Sequence, residues 1–139
     1  MRAALIAAAL AATAAPAFAN VSKSEMECIA RTVYHEARGE PVSGQIAVAE
    51  VIINRKMSGS FPKNACSVVS QKGQFAPAGK VRESGAMERA RRAARAAAGP
   101  GDVTNGATYF HTPAVRPGWS RRFRVTARIG SHIFYRPPR

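Results

Sequence analysis

The stretch Val33-Tyr-His-Glu-Ala-Arg-Gly-Glu-Pro41 sets an imidazole, two carboxylates and a guanidinium within six residues and then ends on proline. A zinc-protease helix needs H-E-x-x-H, and residue 39 here is glycine, so that chemistry does not fit. His35, His111 and His132 would meet as a three-histidine metal set only through the fold, and the sequence implies no metal or organic cofactor. Acid–base work by a carboxyl group is the remaining chemistry. Glu36 lies seven residues after Ile29 and three after Val33, so on a helix it projects from the apolar stripe. It also falls in the last turn, where unpaired carbonyls carry partial negative charge. Desolvation and that charge both disfavour an ionised carboxylate, and a carboxyl that keeps its proton near neutrality is what a general acid requires. Glu40, beyond the glycine, is expected in a more solvated loop, charged and paired with Arg38. The competing reading is an ordinary helix end, with Glu36 paired to Arg38 or Arg31 and His35 as a partly buried ring.

The elements that would position these groups can be read on either side. Ser24-Glu25-Met26-Glu27 fits a capping box, and Ile29, Ala30, Val33, Tyr34 and Ala37 follow at helical spacing. Gly39 in the left-handed position and Pro41 would close a first helix of about 25–38. Ser43 is placed to cap a second helix through Gln45-Ile-Ala-Val-Ala-Glu-Val-Ile-Ile-Asn-Arg-Lys-Met57, apolar almost all round and therefore buried; Glu50 inside it needs a partner. A short helix is expected at Cys66-Ser-Val-Val69. Residues 83–98 form the clearest helix, capped by Ser84, with Glu88 facing Arg92 and an alanine face (Ala86, Ala90, Ala93, Ala94, Ala97) for close packing. After Gly99-Pro-Gly101 the pattern changes. Asn105–Thr112 is strand-like, and Phe123–Arg136 reads as two strands about Gly130-Ser131.

Composition limits the setting. Met1-Arg2, the apolar run Ala3–Ala15 and Ala17-Phe-Ala19 have the form of a cleavable signal peptide, residues 1–19, ahead of one domain at 20–139. The apolar run is shorter than the ~20 residues that span a bilayer, so no stable membrane insertion is expected once the signal is removed. The expected location is periplasmic or secreted. The formal charge is +13, or +12 without Arg2, which implies a polyanionic partner. Export and the lack of any nucleic-acid-binding motif point away from nucleic acid and toward acidic lipid or a wall bearing peptide carboxylates. Cys28 and Cys66 are the only cysteines, and in an oxidising compartment such a pair most often forms a disulfide. A nucleophilic cysteine is the alternative.

Several segments together resemble one family. Cys28-Ile-Ala-Arg-Thr-Val-Tyr-His-Glu-Ala-Arg-Gly-Glu-Pro41, Gly44-Gln-Ile-Ala-Val-Ala-Glu-Val-Ile-Ile-Asn-Arg55, Cys66-Ser-Val-Val69 with Gln74-Phe75, Gly106-Ala-Thr-Tyr-Phe-His111 and Thr126-Ala-Arg-Ile-Gly-Ser-His-Ile-Phe-Tyr135 are similar, in order, to the SleB/CwlJ-type cell-wall hydrolases. The resemblance implies a lysozyme-like or lytic-transglycosylase-like fold acting on peptidoglycan glycan strands. With the elements read above, the expectation is an α+β, mainly helical single domain with a small C-terminal β-hairpin, present as a monomer. The resemblance places the catalytic acid on Glu36. Glu40, Gln74, Tyr109, His111 and Tyr135 are the candidate substrate-binding residues. Two departures fall in expected substrate loops: Ala76-Pro-Ala-Gly79 stands where many members carry Ser-Trp, and Tyr109 where some carry His.

The expected activity is cleavage of the bond between N-acetylmuramic acid and N-acetylglucosamine by a single carboxyl group, as in a lytic transglycosylase. A hydrolase normally needs a second carboxylate, for which Glu40 is the nearest candidate. A catalytically inactive wall-binding module and a membrane-active basic protein are the other classes; the mostly alanine face of 83–98 is too weak for deep insertion.

Overall fold

The computed structural model describes residues 20–77 and 79–139, so the signal peptide expected over 1–19 lies outside the described residues. Four helices lead into a small sheet: α1 Lys23–Ala37, α2 Val42–Met57, α3 Ala65–Val69 and α4 Ser84–Ala98, then β1 Tyr109–His111, β2 Arg124–Ile129 and β3 His132–Arg136. A 3-10 turn, Gly118–Arg121, separates β1 from β2. The fold is mainly helical with a small C-terminal antiparallel sheet, as the sequence implies, but the expected hairpin gains β1 as a third strand, in the order β1-β3-β2. Tyr109 pairs with Tyr135, and a bulge at Val125/Ala127 interrupts the β2–β3 register.

α2 is central because its composition leaves it no wet face. Ala47, Val48, Ala49, Val51 and Ile52 are all fully buried. The alanine stripe of α4 packs as expected, with Ala86, Ala90, Ala93, Ala94 and Ala97 buried beside Ile29, Val33 and Tyr34 of α1. Small side chains let the helix backbones approach, so burial here comes from close packing and not from bulky residues. The Tyr34 hydroxyl accepts from the backbone N–H groups of Arg82 (3.1 Å) and Glu83 (3.3 Å), which fixes the entry to α4. Cys28 and Cys66 form the expected disulfide, joining α1 to α3.

Helix ends differ from the sequence reading. The capping box of α1 is Ser22 with Glu25, two residues earlier than expected. Glu25 prevails because its carboxylate also accepts from Ala65 N–H (2.8 Å) and meets Lys56 Nζ at 2.8 Å, tying α1 to α2 and α3. Its burial opposes ionisation, but the Lys56 ammonium and the two backbone donors overcome that and hold its pKa at about 2. Gly39 does not take the left-handed conformation; Arg38 is still helical, Glu40 N–H bonds back to Ala37 O (2.9 Å), and Pro41 is the N-cap of α2 in place of Ser43. Ser84 is the first residue of α4, behind Glu83, and does not cap it. Glu88 pairs with Arg91, not Arg92, because Arg91 also reaches Glu27 of α1.

Candidate active site

The end of α1 delivers Glu36 into a cleft of about 670 Å³ between the helices and the sheet. Gln74 enters from the loop after α3, Tyr109, Phe110 and His111 from β1, Trp119 from the 3-10 turn and His132 from β3. Glu36 is the only carboxylate among the described residues that line it. Its Oε1 accepts the Ala76 N–H at 2.8 Å, so the loop after Gln74-Phe75 is fastened to this side chain. His35 faces another way: its Nε2 lies 3.2 Å from both N and O of Gly79, and it lines a separate depression.

Of the expected binding residues, Gln74, Tyr109 and His111 line the cleft with Glu36, whereas Glu40 and Tyr135 do not. Tyr135 supports His111 from behind. The Thr112 carbonyl, 2.6 Å from His111 Nδ1, accepts its proton, and Nε2 lies 2.7 Å from the Tyr135 hydroxyl. A neutral ring therefore carries its hydrogen on Nδ1 and accepts from Tyr135 at Nε2. Glu40 is neither solvated nor paired with Arg38. Its oxygens accept from the backbone N–H (3.1 Å) and the hydroxyl of Ser131, at the tip of the β2–β3 turn. The Ser131 hydroxyl holds the Glu40 carboxyl below the usual range despite its burial. Arg38 instead approaches Glu83 at 3.9 Å on the surface.

This carboxylate anchors the turn that presents His132. His132 is buried, its Nδ1 lies 3.9 Å from Glu40 Oε1, and it takes no hydrogen bond from any described residue at that atom. Burial pushes its imidazole toward the neutral form, against the pull of the Glu40 and Glu36 carboxylates.

Arg55 is the cleft residue whose role the sequence hid. It lies in the last turn of α2, buried among the rings of Phe61, Phe75 and Tyr109, 4.7 to 5.1 Å from each centroid. Its Nε donates to Thr108 O at 2.7 Å and its Nη1 to Gln74 Oε1 at 3.1 Å, joining the loop after α3 to β1. Burial lowers its pKa to about 10. The neighbouring Asn54 donates to Ala107 O and to Asp102 Oδ2, so the Asn54-Arg55 pair holds the start of β1. Trp119 was also missed. It packs on Tyr109 (5.1 Å) and Tyr135 (5.2 Å) and lines the cleft. Its only sequence signal was a lone tryptophan between Pro117-Gly118 and Ser120 in a loop.

Comparison with known proteins identifies the family. A model described as "Cell Wall Hydrolase" matches residues 39–135. The chain belongs to the cell wall hydrolase family. Glu36 lies just ahead of the matched span. A spore cortex-lytic enzyme of Halalkalibacterium halodurans is 40% identical over 84% of this chain and 36% of its own length. The corresponding enzyme of Bacillus subtilis is 37% identical over 81% of this chain and 38% of its own. The chain thus spans well under half the length of these curated relatives. Among solved structures, the catalytic domain of the Bacillus cereus SleB protein superposes with a TM-score of 0.73, at 33% identity, over 84% of this chain and 92% of that one. The catalytic domain of the germination-specific lytic transglycosylase SleB from Bacillus anthracis gives a TM-score of 0.71 and 31% identity over 84% and 98%.

Proposed function

We propose that the protein is an exported lytic transglycosylase that cuts peptidoglycan glycan strands between N-acetylmuramic acid and N-acetylglucosamine, with Glu36 as its one acid and base. The observation that carries this reading is a sugar-sized cleft, walled by Tyr109 and Trp119, in which Glu36 is the lone carboxylate among the described lining residues. Aromatic faces suit the apolar faces of pyranose rings, and Gln74 and His111 supply polar contacts beside them.

The Ala76 N–H at Oε1 leaves Oε2 as the oxygen that carries the proton. Glu36 Oε2–H protonates the glycosidic oxygen as its bond to C1 of the muramic sugar breaks. The Glu36 carboxylate then takes the proton from the 6-hydroxyl of the same sugar as O6 bonds to C1. The products are a 1,6-anhydro end and a free 4-hydroxyl, and the proton returns to Glu36. No water enters the balance and no second carboxylate is needed. A hydrolase would place another carboxyl roughly 5–9.5 Å away. Glu40 is a poor candidate for that role, because both its oxygens are taken by Ser131. The similarity to the B. anthracis lytic transglycosylase domain supports the same reaction.

Glu36→Gln tests this. The amide oxygen can still accept from Ala76 N–H, so folding should be kept, while cleavage of sacculi should fall about 10²–10⁴-fold or more. Mass spectrometry of the released fragments from the parent enzyme should find 1,6-anhydro ends. Near-normal cleavage by Glu36→Gln would remove the assignment, and reducing ends in place of anhydro ends would make the enzyme a hydrolase.

A further inference from the structure

Next to the cleft, and sharing His111 with it, lies a second pocket of about 330 Å³. Arg116, Arg121 and Arg128 line it together with Ser120 and Tyr135. Arg116 precedes the 3-10 turn, Arg121 ends it, and Arg128 comes from β2, so three separate places in the chain bring guanidinium groups to one depression. All three residues are exposed. No carboxylate lines the pocket, and among the described residues none lies within ion-pairing distance of these arginines. The acidic side chains are spent elsewhere: Glu27 and Glu88 on Arg91, Glu25 on Lys56, Glu83 on Arg38, and Glu40 on Ser131. Three like charges around so small a space repel one another, and an anion there would relieve that repulsion.

We propose that this pocket is a subsite for the carboxylates of the peptide stem that wall glycan carries on its muramic sugars. The proposal rests on the reading of the neighbouring cleft as a glycan site and adds to it the part of the substrate that sets preference. The stem is joined covalently to the sugar, so its carboxylates must lie close to the glycan path, and a pocket that shares a wall with the cleft meets that requirement. Guanidinium forks match carboxylates in two-point hydrogen bonds better than ammonium groups do, and the pocket is lined by three arginines and no lysine. The Ser120 hydroxyl donates its proton to Pro117 O at 2.7 Å, so the guanidinium groups and not this hydroxyl are the donors an anion would meet. The enzyme should therefore prefer stem-bearing strands to bare glycan.

Binding can be read without catalysis by using a GlcNAc–MurNAc-tetrapeptide, which lacks the bond to be cleaved. Calorimetry would compare it with its carboxamide form, with GlcNAc–MurNAc alone and with poly(glycerol phosphate), for the parent protein and for Arg116→Gln/Arg128→Gln. These exposed positions should tolerate glutamine, and thermal melting checks that. The free-acid tetrapeptide should bind about ten-fold more tightly than its carboxamide, and the double variant should lose that difference while binding GlcNAc–MurNAc as before. Equal affinity for acid and carboxamide would overturn the proposal. So would an equal loss on all ligands in the variant, or tighter arginine-dependent binding of poly(glycerol phosphate) than of the tetrapeptide. Carboxylate-dependent binding together with an active Glu36→Gln would leave the subsite standing and remove only the catalytic assignment.

Discussion

At the residue scale, Glu36 and Glu40 are the same side chain four residues apart, and their surroundings give them opposite work. Glu36 keeps one oxygen toward the cleft, while Glu40 spends both on the turn at Ser131. Removing Glu40 leaves the Ser131 N–H and hydroxyl without their acceptor and frees the turn that carries His132. Glu40→Ala should therefore cost about 2–3 kcal/mol in urea unfolding, in line with the loss of hydrogen bonds to a charged group. It should also reduce cleavage less than Glu36→Gln does. Because the folded state holds the Glu40 carboxyl low, its contribution is present above the unfolded carboxylate pKa and is lost as pH falls through the lower folded one. The stability gap between parent and Glu40→Ala should close on acidification. A gap that stays constant down to pH ~3 would mean that the ion contributes nothing and only packing was lost.

At the element scale, the β2–β3 turn docks on the α1–α2 junction through a glycine that has no substitute. Gly130 has φ of +58°, and a methyl group there would overlap Glu40 Oε2. Gly130→Ala should destabilise by about 1–3 kcal/mol through left-handed strain and this collision. Combined with Glu40→Ala the two losses should be less than additive, because the collision partner is gone; full additivity would mean that strain alone is at work. This docking also marks the limit of what the chain reveals unaided. Periodicity exposed α1, α2, α4 and the two long strands, because apolar spacing is a local property. The position of Glu36 in the last turn of α1 was legible for the same reason. Arg38 was matched to Glu40 by nearness in sequence, yet Glu40 found donors 91 residues away, at Ser131. Arg55 read as a helix-end charge, since nothing local foretells three aromatic rings arriving from two loops and a strand. The cap of α1 shows the same effect: Ser22 takes the place expected for Ser24 because Glu25 is bonded across the fold to Ala65.

At the scale of the whole molecule, a chain with formal charge +13 has few acids to spare, and one of them, Glu50, is buried in α2. Its partners are the Thr104 N–H, 3.3 Å from Oε2, and the Asp102 carboxylate, which is itself committed to Thr104, Gly106 and Asn54. Burial first, and then the hydrogen bond and negative charge of Asp102, push the Glu50 pKa up to about 8. The folded protein thus holds this proton where the unfolded chain, with a carboxyl near 4.5, has lost it. The stability this confers is complete below the unfolded value and is lost as pH rises through the folded one. Glu25 acts in the other direction, since its pKa of about 2 makes its contribution disappear as pH falls from 4.5 toward that value. Together the two predict maximum stability at the acidic end of the usual range, near pH ~5, with a decline toward pH ~8. Glu50→Gln should flatten that decline. A glutamine amide can donate to Asp102 in place of the carboxyl proton and accept from Thr104 N–H, and it does not titrate. The melting temperature of Glu50→Gln relative to the parent should therefore rise steadily between pH 5 and 8. Parallel melting curves for the two proteins across that window would show that Glu50 is not the group that loses its proton on unfolding.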